Sequence, residues 1–262
     1  MNTPTLNRTF ITVQGLHTAE YVVGEGRPLL VLHGWGADAA LVKPLADGLA
    51  HHGYRVYVPD LPGFGASAPP PSAWSVFDYA QHVLAYLDAH NLARLPVIGH
   101  SFGGRLGLIV GADHAERVDK LVLIDSAGVP NRLPLVMRLR LAAYKVVRDG
   151  LYTAGARSTA DRLRAWYGAR YGSADYQNAG VLRETFVKVV NQDLRSFARR
   201  VRVPALLLWG DADADTPLWM GKTLERLIPD AGLIAFPGAG HYSYLEHLAE
   251  SIRIIDHFCS HD

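Results

Sequence analysis

Four short apolar runs, at residues 28–33, 96–99, 120–125 and 203–209, constrain this chain more than any other feature. Each is nearly continuous rather than alternating, too short for a core helix, and closed by a turn or helix signal. Runs of that kind read as strands buried on both faces, the pattern of a parallel sheet covered by helices. A fifth strand-like run, 54–59, follows a helical pattern over 38–52. Segments 9–14 and 19–23 flank a short polar turn and predict an antiparallel hairpin. After Gly210 the pattern continues as a helix near 217–227, a strand at 233–236 and a helix over 244–258. Strands alternating with helices predict an α/β fold, a doubly wound sheet with right-handed crossovers. With 262 residues, 49% of them apolar, the chain is long enough for one such core.

One region breaks the alternation. Between 128 and 202 there is no strand-like run, only helical patterns at 133–148, 158–167 and 181–197. Connections between strand and helix usually take about 2–6 residues, so this stretch reads as an inserted helical cap over 129–202. Residues 1–128 and 203–262 then form the core. The proline-rich stretch 66–73 reads as a rigid surface loop. A formal net charge of +1 gives no electrostatic case for a nucleic-acid partner, and the basic residues between 132 and 202 are interrupted by acids and aromatics, as on a solvated face. No apolar run approaches the roughly 20 residues of a membrane span, and the opening MNTPTLNRTF lacks the apolar core of a secretory signal. The single cysteine, Cys259, permits no internal disulfide, so a reducing, cytoplasmic setting is expected. Monomer and homodimer stay open.

Residues 99–103, Gly-His-Ser-Phe-Gly, match G-x-S-x-G between a strand and a helix, the context in which that motif carries information. Ser101 is then a nucleophile on a sharp turn, with flanking glycines where a side chain would strike the neighbouring strand or helix. A serine hydroxyl needs a base, and the base an orienting acid. Among the 12 histidines, His241 follows the last strand-like run in a glycine-rich loop, at the sheet edge that Ser101 occupies. His100 flanks the nucleophile and reads as a packing or positioning residue. The acid lies in WGDADADTP; Asp213 is favoured by its offset from Gly210 and by Pro217, with Asp211 as substitute. Three alternate aspartates also raise a divalent-cation site, but no glycine and glutamate follow at calcium-loop spacing, so no metal is expected. Residues 33–36, His-Gly-Trp-Gly, end a buried strand in a glycine loop, which makes the backbone amides of Trp35 and Phe102 the candidate oxyanion donors.

Taken together, HGWGAD (33–38), PDLPGFGAS (59–67), GHSFGG (99–104), LVLIDSAG (121–128), WGDADADTP (209–217) and FPGAGHYSYLEH (236–247) resemble the α/β-hydrolase superfamily in content and order. The resemblance implies an eight-stranded, mostly parallel sheet, a cap after the sixth strand, and no cofactor. Ser101 stands where dehalogenases and epoxide hydrolases of this fold carry aspartate. The cap resembles that of bacterial carboxylesterases and of hydrolases that cleave carbon–carbon bonds in ring-fission products. The latter usually carry asparagine before the serine and tryptophan after the histidine; here His100 and Tyr242 stand there. The leading expectation is an esterase acting on small-molecule esters with small to medium acyl chains through an acyl-enzyme. Carbon–carbon bond cleavage with the same triad is the alternative, and a ligand-sensing receptor the third reading. Met137, Leu141, Tyr144, Trp166, Tyr167, Phe186 and Tyr242 are the candidate pocket residues. Arg183 and Arg195 on the last cap helix are candidates for an acidic substrate, or simply solvated cations.

Overall fold

The computed structural model describes residues 7–131, 135–171 and 174–261. The first residues of the opening segment and residues 133–134 of the first expected cap helix lie outside them. The chain runs β1 (Thr9–Val13), β2 (Leu16–Val23), β3 (Arg27–Leu32), α1 (Ala39–Ala50), β4 (Tyr54–Pro59), α2 (Val76–Ala89), β5 (Leu95–His100), α3 (Phe102–Asp113) and β6 (Val118–Ile124). Helices α4 (Leu135–Thr153), α5 (Arg157–Tyr171), α6 (Ala174–Asn178), α7 (Arg183–Val190) and α8 (Arg195–Ala198) follow. The chain then returns through β7 (Ala205–Gly210), α9 (Leu218–Leu227), β8 (Ala231–Phe236), α10 (Ser243–Glu246) and α11 (Leu248–Ser260). The eight strands form one sheet in the order β1-β2-β4-β3-β5-β6-β7-β8. The β1/β2 and β2/β4 pairs are antiparallel, and every later pair is parallel. This is the α/β-hydrolase fold.

The continuous apolar runs have a physical reason. Along β3, Leu30 and Leu32 enter the cluster on one face of the sheet, while Leu29 and Val31 enter the cluster on the other. Leu121 and Leu123 alternate with Val122 and Ile124 in β6, and Leu207 and Trp209 with Leu206 and Leu208 in β7. Since side chains alternate with period two, a strand with helices on both faces must be apolar at every position. The parallel strands all point their carboxyl ends the same way, and in open α/β sheets that end carries the site.

One helix goes unpredicted and two expected helices need correction. Helix α2 has no counterpart in the sequence reading, although Ser75 and Asp78 form a capping box at its start. The expected helix 181–197 is two helices, α7 and α8. Between them Leu194 donates its N–H to the Gly128 carbonyl at 2.9 Å, which ties the turn to the chain leaving β6. The Asp193 carboxylate accepts the Arg195 N–H at 3.0 Å and starts α8 separately. Arg183 and Arg195 therefore sit on different helices, and Arg195 pairs with Asp193. The expected helix 244–258 is likewise split, at His247, into α10 and α11. Among the described residues no helix is long and apolar enough to cross a membrane.

Candidate active site

Ser101 joins β5 to α3 with φ 50° and ψ −104°, a left-handed backbone that costs a non-glycine residue about 1–3 kcal/mol. The surroundings hold it there. Its N–H donates to the Ile124 carbonyl at 3.0 Å, and its carbonyl accepts the Gly104 and Ala127 N–H groups at 3.1 Å. The turn is sharp enough that neither neighbouring glycine has room for a side chain. A Cβ on Gly99 would lie 2.4 Å from the Gly103 carbonyl oxygen, and one on Gly103 would lie 2.2 Å from that of Leu32 on β3.

His241, in the loop after β8, brings Nε2 to 3.0 Å from Ser101 Oγ and Nδ1 to 2.8 Å from Asp213 Oδ2. A carboxylate only accepts, so Nδ1 carries the proton and Nε2 presents its lone pair to the serine. Asp213, in the loop after β7, is itself fixed. Oδ1 accepts the N–H groups of Asp215 (2.8 Å) and Thr216 (3.0 Å), and Oδ2 also accepts the Thr216 hydroxyl at 2.6 Å. Burial works against both charges. For Asp213 the His241 and Thr216 hydrogen bonds outweigh it and hold the carboxyl below its usual range. For His241 the carboxylates of Asp213, Asp125 and Asp215 outweigh it and hold the imidazole above the ordinary histidine value. The ligand-capable atoms of Asp213, Asp215 and His241 converge within 4.8 Å. Both Asp213 oxygens are already engaged by these donors, which is the bonding of an orienting acid rather than of a cation cage. Asp211, the substitute acid, instead accepts the Gly238 N–H at 2.7 Å and holds its own loop.

Three contributors escaped the sequence reading. Asp125, fully buried at the end of β6 with φ 43°, accepts the Gly210 N–H at 2.8 Å. It also accepts the Ser243 N–H at 3.1 Å and the Ser243 hydroxyl at 2.7 Å. One carboxylate thus ties together the loops that carry Asp213 and His241. Burial pushes its pKa up to about 7 against the pull of the Ser243 and Gly210 donors. Thr216, at 2.9 Å from the Asp125 carbonyl, joins the same network. The only sequence signals were an aspartate closing an apolar run and a serine two residues after the histidine. His100, expected to be a packing or positioning residue, contacts the backbone of His241. Its Nε2–H donates to the His241 carbonyl at 2.8 Å, and burial holds its pKa down to about 3, so the ring stays neutral.

Beside Ser101 lies a cavity of about 550 Å³. Trp35, Phe102, Phe186, Val189, Met220 and Tyr242 line it, with Arg105, Asn131 and Asn191 as polar wall groups. Of the candidate pocket residues, Phe186 and Tyr242 are therefore at the cavity. Met137, Leu141, Tyr144, Trp166 and Tyr167 are not among its lining residues; they lie on α4 and α5, which pack on each other. Tyr144 stacks on Tyr167 at 3.9 Å there, while Met137 and Trp166 are exposed. The Trp35 ring packs edge-on against Phe102 at 5.4 Å, which keeps the loop after β3 close to the start of α3. Among the described residues the Trp35 and Phe102 amides donate to no other protein group. The β3 loop is fixed from behind: His33 Nδ1–H donates to the Gly34 carbonyl and Nε2 accepts the Leu61 N–H.

A fold of this order, with a serine, a histidine and a carboxylate meeting at the carboxyl edge of the sheet, belongs to a known class, and the sequence comparison agrees. The family described as alpha/beta hydrolase fold matches residues 27–248, and the chain belongs to it as a hydrolase. Among characterised relatives it is similar to a pimeloyl-[acyl-carrier protein] methyl ester esterase of Chromobacterium violaceum. The two are 30% identical over 248 residues, covering 89% of this chain and 94% of the relative. It is 29% identical over 257 residues to a 2-hydroxy-6-oxo-6-(2'-aminophenyl)hexa-2,4-dienoic acid hydrolase of Metapseudomonas resinovorans, covering 91% and 86%. Among solved structures, a bacterial membrane phospholipase A superposes with a TM-score of 0.75 at 27% identity, covering 97% of this chain and 85% of that one.

Proposed function

We propose that this protein is a serine hydrolase that cleaves carboxylic esters through an acyl-enzyme on Ser101. The observation that carries the reading is the unbroken hydrogen-bonded chain from Ser101 Oγ through His241 to Asp213, at 3.0 and 2.8 Å. As Ser101 attacks the ester carbonyl, His241 Nε2 takes its proton and Asp213 stabilises the imidazolium. The amides of Trp35 and Phe102 receive the tetrahedral oxyanion, aided by the positive end of α3; one such donor is worth about 3 kcal/mol. His241 then protonates the departing alcohol. A water that loses its proton to the same nitrogen releases the acid and restores Ser101. No cofactor enters any of these steps. The segment 129–202 acts as a cap, its contribution to the cavity coming from Val129, Pro130 and Asn131 at its start and from Phe186, Val189, Val190 and Asn191 further on. Those mainly apolar walls suit a small or medium acyl chain.

Carbon–carbon bond hydrolysis is the second reading, supported by the similarity to the dienoic acid hydrolase of Metapseudomonas resinovorans. His100 in the position of asparagine and Tyr242 in that of tryptophan weigh against it. A panel of p-nitrophenyl esters graded by acyl length, run beside a ring-fission dienoate, decides between them. Ester turnover at least tenfold higher in kcat/KM, abolished in Ser101→Ala, supports the esterase. Faster turnover of the dienoate reverses the assignment. Equal ester turnover by Ser101→Ala and the parent protein removes the serine mechanism altogether.

A further inference from the structure

Helix α4 is 19 residues long, yet none of its residues is buried. Its sequence, LVMRLRLAAYKVVRDGLYT, carries twelve apolar or aromatic side chains, and it packs chiefly on α5, of which only Ala160 is buried. Eight of the fifteen exposed large apolar side chains among the described residues lie on these two helices, so the exposure is concentrated rather than scattered. Leu135, Leu139 and Val146 fall at helical spacing on one stripe, and Val136 and Val147 on the stripe beside it. All five are more than half exposed, as is Trp166 on α5. Soluble monomers rarely present contiguous apolar surface of this kind unless something covers it.

Charge bears on what could cover it. Helices α4 and α5 carry eight Lys and Arg against two Asp and Glu. The whole chain has 26 against 25, so the rest of the molecule is net acidic. Arg138 and Lys145 border the apolar stripes of α4 and are exposed. A second copy docked through the same face would set two strongly cationic hairpins against each other, which like-charge repulsion disfavours. An anionic lipid surface satisfies both properties at once. Its headgroups take the cations, and its acyl boundary takes Leu, Val and Trp side chains at the depth of an interfacial helix. We propose that the α4–α5 hairpin is a docking surface for anionic lipid membranes and lies in the interfacial plane. This surface does not depend on the chemistry assigned to Ser101.

Co-sedimentation of the full chain with vesicles tests the assignment. Vesicles of phosphatidylcholine alone and of phosphatidylcholine with 30% phosphatidylglycerol are compared at low and at physiological salt. The expected result is partitioning at least tenfold stronger onto the anionic vesicles, weakened by salt. Arg138→Gln with Lys145→Gln should lower it about 25-fold, at roughly fivefold per cation. Leu139→Ser with Val146→Ser should lower it at least tenfold, with turnover of a water-soluble ester unchanged. Three results overturn the proposal. One is equal partitioning onto both vesicle types, or none onto either. Another is loss with the charge pair but not with the apolar pair, the behaviour of a patch for an acidic protein. The third is a dimer in sedimentation velocity that Leu139→Ser with Val146→Ser dissolves while lipid binding is absent, which makes the face an interface between copies.

Discussion

Replacing Asp213 by asparagine tests the orientation of the imidazole with almost no change of shape. The structure fixes which way the new amide must face. Two backbone N–H groups, of Asp215 and Thr216, converge on Oδ1 at 2.8 and 3.0 Å, so only the amide oxygen fits there. The NH2 group is thereby set at the Oδ2 position, 2.8 Å from His241 Nδ1. It donates to that nitrogen, and the ring's proton moves to Nε2, where it points at Ser101 Oγ. The base then has no lone pair for the serine. A wrong tautomer of this kind costs about 10⁴-fold in kcat, or about 5.5 kcal/mol at 1.36 kcal/mol per decade. The assay is p-nitrophenyl ester hydrolysis at pH 8 with circular dichroism to establish folding. Asp211→Asn serves as the control, because among the described residues the Asp211 carboxylate holds only the Gly238 N–H and its loss should change kcat by less than about threefold. An Asp213→Asn enzyme retaining a tenth of parent activity, or a larger loss in Asp211→Asn, would refute this assignment of the acid.

Because nearby carboxylates hold His241 above the ordinary value of 6.5, kcat/KM should fall as pH drops through a midpoint above 6.5, His241 being active only when neutral; a midpoint below 6 contradicts this. In Gly103→Ala the new Cβ meets the Leu32 carbonyl oxygen at 2.2 Å, forcing α3 from β3. Overpacking of about 3 kcal/mol should lower the melting temperature by roughly 10 °C, read by differential scanning calorimetry. Ser243→Ala removes a 2.7 Å hydrogen bond to the Asp125 carboxylate. At about 2 kcal/mol it should lower the melting temperature by about 4–8 °C and reduce kcat by loosening the loop that carries His241; unchanged kcat and melting would remove Asp125 from the positioning network.

The fold was legible where local and global requirements coincide. A strand covered on both faces must be apolar throughout, so residues 120–125 and 203–209 identify themselves without any alignment. Ser101 was legible because a sharp strand-to-helix corner demands small neighbours, and Gly99 and Gly103 have no room for a Cβ. His241 and Asp213 followed from their place after strands that share one edge. Asp125 was not legible, because its importance lies in partners 85 and 118 residues away, and one aspartate after an apolar run has no period to reveal it. The α4 and α5 residues misled for a related reason. Apolar and aromatic side chains at helical spacing look alike whether they face a cavity, a core or solvent. Met137, Leu141, Tyr144 and Trp166 differ from Phe186 only in tertiary placement. The break between α7 and α8 depends on Leu194 bonding to Gly128, a contact no local propensity encodes.

Labelling with a fluorophosphonate, followed by peptide mass spectrometry, examines the activated hydroxyl with the fewest intervening assumptions. One adduct per chain is expected, located on Ser101, forming faster as the imidazole of residue 241 deprotonates and at least a thousandfold more slowly in His241→Ala. An unmodified Ser101 in folded protein, an adduct on another serine, or undiminished labelling of His241→Ala would contradict the account.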